Sequence, residues 1–174
     1  MELEDFKAKV LPFKNKLYRF AKKILNSAED AEDTVQEILI KLWQKRQQLD
    51  EYRNLEAFAM KAAKNHCLDI IKSKYYRNKP VSLEEKEYII DSKVNPIKNM
   101  ELSDTLEKVN LILNSLPEIQ RIIFTLRDIE GYEYEEICDI LDMNLNTIKV
   151  TLSRVRKKIR NDLFKIYEYE PNEN

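Results

Sequence analysis

A single glycine and five prolines among 174 residues leave almost no material for the tight turns on which hairpins, meanders and barrels depend. Leu, Ile, Lys, Glu and Ala, which helices accept readily, are abundant instead. An all-α chain is therefore expected, and the remaining question is how many helical units it forms.

Apolar residues recur at helical spacing through residues 6–25, 31–43, 57–71 and, after an interruption, 106–163. The interruption carries Pro80 and Pro96, mixed charge and only the short apolar patch Tyr88, Ile89, Ile90, and reads as a linker. Two small helical domains follow from this pattern: residues 1–79 and 105–167, joined by 80–104, with an acidic tail 168–174 expected to be disordered. Within the second, Leu116-Pro117 has the form of a helix start with proline at its first position, and Gly131 marks the stop. A short helical segment over 134–141 comes next. Asp142-Met143-Asn144 then makes a brief turn, with Asn144 placed to cap the following helix through its side-chain oxygen. The succession is helix, tight turn, basic helix.

Net charge is only -1, but it is segregated. Residues 128–142 carry Asp128, Glu130, Glu133, Glu135, Glu136, Asp139 and Asp142 with no basic residue, whereas 143–161 carry Lys149, Arg154, Arg156, Lys157, Lys158 and Arg160 with no acid. A basic patch of this kind is the electrostatic footprint of a nucleic-acid binder even when the total charge is near zero. Cys67 and Cys138 lie far apart, each inside an apolar helical pattern; neither a disulfide framework nor a zinc spacing is present, and both read as buried thiols. The acidic start of the chain does not resemble a signal peptide, and no apolar run approaches the roughly 20 residues needed to cross a bilayer. A cytoplasmic location is expected.

Three helix faces stand out. Over 31–43, Ala31, Val35, Ile38, Leu39 and Leu42 form the buried stripe, while Asp33, Gln36, Glu37 and Ile40 fall together on the opposite side. An isoleucine amid exposed acids fits a docking surface for a basic partner, although a solvated face with one stray apolar residue has the same spacing. Over 57–77, Phe58, Ala62, Ala63, Ile70 and Ile71 cluster with His66, and Lys61, Lys64, Asn65, Leu68 and Lys72 line the outer side. Tyr75, Tyr76 and Arg77 follow, offering aromatic surfaces for an unstacked base and a cation for phosphate; an ordinary amphipathic helix with lysines in water reads the same way. The third face is the most specific. Ile148, Leu152, Val155, Ile159 and Leu163 make a core stripe that leaves Lys149, Val150, Ser153, Arg154, Arg156, Lys157 and Arg160 outward. A basic helix after a three-residue turn is suited to a major groove, with Lys149, Val150, Ser153 and Arg154 near enough to its start to reach base edges. Arg156, Lys157, Lys158 and Arg160 would mainly neutralise phosphates.

At this point the chain resembles the sigma-70 family, in its small extracytoplasmic-function (ECF) group. Asp30-Ala31-Glu32-Asp33-Thr34-Val35-Gln36-Glu37 with Leu42-Trp43 is similar to the family's helix that grips the clamp helices of the polymerase β′ subunit. The resemblance implies that Asp33, Gln36, Glu37 and Ile40 make that contact. Ala62-Ala63-Lys64-Asn65 with Asp69 and Lys72 resembles the segment that opens and reads the minus-ten element, giving Lys61, Lys64, Asn65, Asp69, Lys72 and Tyr75 as that site. Leu116-Pro117, Phe124, the run from Gly131 to Ile137, and Asn146-Thr147-Ile148-Lys149 resemble the domain that reads the minus-thirty-five element, adding Asn146 and Thr147 to Lys149, Val150, Ser153, Arg154 and Lys157. The resemblance spans residues 10–163. Asp142 stands where the family usually has glycine, and Val150 and Thr151 where it has serine and arginine. Implied partners are the RNA polymerase core, double-stranded and melted promoter DNA, and an anti-sigma factor.

Two other classes compete. A stand-alone helix-turn-helix regulator would share the second domain and use the first for dimerisation or ligand sensing. An enzyme built as a carboxylate-bridged metal bundle would draw on two Glu-x-x-His pairs, and the chain has one histidine, His66, which reads as a satisfied core residue. No catalytic residue, metal or cofactor is expected.

Overall fold

The computed structural model describes residues 2–77 and 102–168, and every described element is helical. In chain order these are α1 (Leu3–Leu25), α2 (Ala28–Gln44), a short 3-10 turn (Leu49–Glu51), α3 (Leu55–Arg77), α4 (Leu102–Asn114), α5 (Glu118–Phe124), a π-helical turn (Thr125–Ile129), α6 (Tyr134–Leu141) and α7 (Leu145–Glu168). Most of the linker expected over 80–104, with its two prolines and its apolar patch, and nearly all of the expected tail lie outside the described residues.

Each boundary has a local cause. In α1, Phe6, Val10, Phe13, Leu17, Phe20, Ala21 and Ile24 are buried at the three- and four-residue spacing of one helix face. The helix closes on Asn26 in the left-handed region, φ 53°, whose N–H donates to the Lys22 carbonyl at 2.9 Å; asparagine is among the few residues that adopt this conformation readily. Ser27 then caps α2, accepting from the Asp30 N–H at 3.1 Å. Asn54 does the same for α3 through Ala57, at 2.9 Å. A reciprocal capping box between Glu133 and Glu136 starts α6, and Asn144 accepts from the Thr147 N–H at 2.9 Å at the start of α7. Besides Asn26, two described positions have left-handed backbone: Gly131 at φ 78°, where the chain leaves the π-helical turn, and Asp142 at φ 54°, which ends α6.

Helices α1, α2 and α3 pack into one bundle, and α4 to α7 form a second unit around the helix-turn-helix pair. The two halves are not separate bodies. Buried side chains run without a break from Phe20, Ile38 and Met60 in the first half to Ile123, Leu126, Ile137 and Ile140 in the second. A smaller core of Ile112, Leu113, Leu116, Val155 and Ile159 ties α4 to the later turns of α7. The seam is made mainly by α6 lying against α3, with α5 and the π-helical turn against α1. Such a seam explains the small, apolar character of α3: Ala59, Met60, Ala63 and Cys67 are all fully buried because the helix has neighbours on more than one side.

The expectation of two buried thiols holds for Cys67 only. Its Sγ is fully enclosed, and burial pushes its pKa up to about 12; Cys138 on α6 is half-buried.

Candidate nucleic-acid interface

The outer side of α7 presents the expected recognition face. Asn146, Thr147, Lys149, Val150, Ser153, Arg154 and Lys157 are all exposed, while Ile148, Leu152, Val155 and Ile159 on the reverse side are buried. Val150 is 49% exposed, an apolar group beside cations, of the kind that packs on a thymine methyl in a major groove. The Lys149 ammonium rests 5.2 Å from the centroid of the Tyr134 ring on α6, a cation–π contact that steadies a long side chain at the mouth of the helix. Lys149, Ser153, Arg156, Lys157, Arg160 and Asn161 line a shallow groove along the helix. Arg156 departs from its expected role as a free phosphate ligand. Its guanidinium forms a forked pair with Asp128 at 2.9 and 2.5 Å, which holds its pKa above the ordinary value.

On α2, Asp33 and Gln36 are exposed, Glu37 is half-exposed and paired with Lys41 at 3.3 Å, and Ile40 is 52% exposed. The four share one side of the helix, opposite Ala31, Val35, Ile38 and Leu42. Thr34 lies on the buried side and returns its hydroxyl to the Asp30 carbonyl at 2.7 Å. Asp30 at the first turn is hydrogen-bonded by Lys74 from α3, which holds its carboxyl below the usual range.

The α3 face divides in a way that sequence periodicity missed. Asn65, Asp69, Lys72 and Tyr75 are exposed as expected, but Lys61 is only half-exposed and Lys64 is buried, with 9% of its surface in contact with solvent. The cause is α6. Asp142, the residue that caps its C-terminal end, accepts a hydrogen bond from the Lys61 ammonium at 2.6 Å, and the loss of water around Lys64 lowers that ammonium's pKa. Leu68, expected on the outer side, is half-buried and packs against the shared core. No local pattern within α3 signals a neighbour that arrives some 80 residues later; the one available hint was the acidic run 128–142 and its complementarity to these lysines.

Other polar contacts lie along the same seam or cross it. Arg19 on α1 grips Glu130 with a fork at 3.1 and 2.6 Å, and the Glu130 side chain is 0% exposed. Glu56 accepts from Lys16 at 2.7 Å and from the Tyr132 hydroxyl at 2.8 Å. Asn54 donates to Glu136 at 2.9 Å. No group of three or more His, Cys, Asp or Glu suited to a metal occurs among the described residues, and no described helix is long and apolar enough to cross a membrane.

Comparison with known proteins adds lineage to this geometry. Residues 10–76 match the family model for sigma-70 region 2, and residues 106–159 match that for sigma-70 region 4. The chain is 31% identical over 147 residues to the ECF RNA polymerase sigma-E factor of Escherichia coli K12, covering 76% of this chain and 73% of that one. It is 27% identical over 161 residues to the ECF RNA polymerase sigma factor SigW of Bacillus subtilis, covering 87% and 84%. Its fold is similar to that of the sigma factor RpoE solved in complex with the anti-sigma factor NepR from Bartonella quintana, with a TM-score of 0.71 and 23% identity over 97% of this chain and 100% of that chain. A stand-alone helix-turn-helix regulator does not account for the match across residues 10–76, and that alternative falls. The chain belongs to the sigma-70 family of RNA polymerase sigma factors, in its extracytoplasmic-function group.

Proposed function

We propose that this transcription initiation factor divides its work among three surfaces: α2 for the polymerase, α3 for the minus-ten element and α7 for the minus-thirty-five element. As a sigma factor it binds core RNA polymerase and directs it to specific promoters. Asp33, Gln36, Glu37 and Ile40 form the contact with the β′ clamp helices; the exposed isoleucine among acids supports this, since an apolar group ringed by charge is the usual make-up of a docking patch. Lys61, Lys64, Asn65, Asp69, Lys72 and Tyr75 serve melted minus-ten DNA, where Tyr75 offers a stacking surface and the lysines meet phosphates. Asn146, Thr147, Lys149, Val150, Ser153, Arg154 and Lys157 read the upstream element as duplex. The observation that carries the upstream assignment is that all seven are exposed on one helix whose first turn is capped by Asn144.

On this reading residues 1–79 and 105–167 are the functional domains, 80–104 the linker and 168–174 a tail. The protein carries no catalysis of its own, needs no cofactor, acts in the cytoplasm and is held in check by an anti-sigma factor. The test is run-off transcription with purified core polymerase on genomic fragments, alongside a pull-down of core. Starts that appear only when the chain is added support the assignment, and failure of Asp33→Lys/Glu37→Lys to retain core, with unchanged helix content by circular dichroism, locates the polymerase contact on α2. Core retention by that double variant refutes the α2 surface.

A further inference from the structure

The run 128–142 is rich in acids, yet its contact with Lys149 at the start of α7 is made by an uncharged ring. Tyr134, in the first turn of α6, is half-buried and packs against the shared core, which limits where its ring can lie. Two cations from different segments share that ring. The Arg127 guanidinium of the π-helical turn lies 4.6 Å from its centroid and the Lys149 ammonium of α7 lies 5.2 Å from it. Arg127 is anchored besides, donating to the Tyr132 carbonyl at 2.7 Å and to the Glu133 carboxylate at 3.1 Å. The next residue of the turn, Asp128, accepts the fork of Arg156 on α7, and the Tyr134 hydroxyl is a further, smaller partner of that guanidinium. Ring and recognition helix are thus tied to the same turn. Lys149 differs from both arginines: it has no carboxylate partner among the described residues, and its contact is with the ring.

We propose that Tyr134 is a positioning residue for promoter reading: its ring, shared with Arg127, holds Lys149 at the start of the recognition helix with the ammonium's charge and N–H donors unspent. This rests on the assignment of α7 to duplex minus-thirty-five DNA. The reason lies in what each kind of contact consumes. A carboxylate beside an ammonium accepts its hydrogens and offsets its charge, so an acid at position 134 would compete with the bases for Lys149. A ring attracts the cation through its quadrupole without accepting a conventional hydrogen bond, which leaves the donors for guanine N7 and O6. An exposed lysine also loses much rotamer freedom when it is ordered on a base. A side chain placed beforehand loses less, and the saving appears as affinity and as discrimination at the base pair it reads.

The test uses holoenzyme and a fluorescein-labelled duplex carrying a promoter recovered by run-off transcription, with a companion set changed at one minus-thirty-five base pair at a time. Lys149→Met first identifies the base pair whose preference depends on that lysine. Tyr134→Leu is then expected to bind about 3- to 10-fold more weakly and to relax preference at that same base pair, whereas Tyr134→Phe, which keeps the ring, retains the parental preference. In the Lys149→Met background the effect of Tyr134→Leu on preference should vanish, because it acts through the lysine; a merely structural effect would persist there. Tyr134→Met is the second ringless variant should Tyr134→Leu lose helix content or core binding. A further measurement needs no change at position 134. In the free full-length chain the ε-methylene protons of Lys149, assigned by their loss in Lys149→Arg, are expected upfield of those of the other lysines, shifted by the ring current. Unshifted protons overturn the proposal, as does a ringless variant that keeps the parental preference or whose effect survives removal of Lys149. If Lys149→Met itself changes neither binding nor preference, the reading role of Lys149 on α7 is refuted and the proposal with it. An effective Lys149→Met beside an ineffective ringless variant refutes the positioning alone.

Discussion

Gly131 and Asp142 both sit at positive φ, and they answer differently to substitution. A β-carbon on Gly131 meets nothing within 4 Å, so Gly131→Ala has only backbone strain to overcome, about 1–2 kcal/mol. A fall in thermal midpoint of a few degrees, with transcription retained at low temperature, is the expected result. Arg154 on the exposed side of α7 tests base reading: Arg154→Ala is expected to weaken promoter binding by about 1–3 kcal/mol and to relax preference at one base pair if it forks onto guanine. Equal loss on all sequences in a gel-shift series would make it a phosphate ligand instead. Asp30 shows a pH effect. Its carboxyl is held below the usual range by Lys74, with a further contribution from Ser27, so the charged form is favoured by folding. The stabilisation is fully present above the ordinary carboxylate pKa and is lost as pH falls through the lower folded value. Asp30→Asn should therefore lower the melting temperature at pH 7, and the difference from the parent should shrink below about pH 4; a difference that stays constant down to pH 2 would contradict this.

At the scale of elements, α1, α2 and α7 were legible because each buries one side only. A single apolar stripe at helical spacing reports a single neighbouring surface, and Leu17, Ile38 and Leu152 lie where that stripe places them. Helix α3 was harder because it is enclosed from two directions, so its periodicity identified the helix and its exposed Asn65, Asp69, Lys72 and Tyr75, but not the covering of Lys61, Lys64 and Leu68. Local chemistry also fixed the joints: Asn144 caps α7 and Gly131 ends the turn before α6 for reasons contained within a few residues. The π-helical turn Thr125–Ile129 was not foreseen. Nothing in Thr-Leu-Arg-Asp-Ile distinguishes it from an ordinary helical turn; the residues just after it, Glu130 and Tyr132, are bound to Arg19 of α1 and Glu56 of α3, partners distant in sequence. The enclosed thiol gives α3 a chemical test. With a thiol pKa of about 12 and no exposure, Cys67 should resist iodoacetamide at pH 8 while half-buried Cys138 is alkylated first; equal rates by peptide mapping would show that α3 is not covered in solution.

Across the whole molecule the seam between the halves is the feature of consequence. Arg19→Gln removes the only cation hydrogen-bonded to the fully buried Glu130 side chain among the described residues. The cost is expected to be about 1–3 kcal/mol, less than for a wholly buried pair because Arg19 is half in water. Denaturant unfolding should move to a lower midpoint, and Arg19→Lys should recover part of the loss; an unchanged midpoint would mean that Glu130 is not held by Arg19.

The helical class, the two-part division, the capped basic helix and the family were all present in the order of residues, since helix propensity, caps and apolar periodicity act over ten residues or fewer. What the tertiary structure alone decided is the meeting of Asp142 with Lys61 and of Glu130 with Arg19. Charge complementarity can be read along a chain, but which carboxylate faces which cation depends on packing between helices distant in sequence, which share one continuous apolar core.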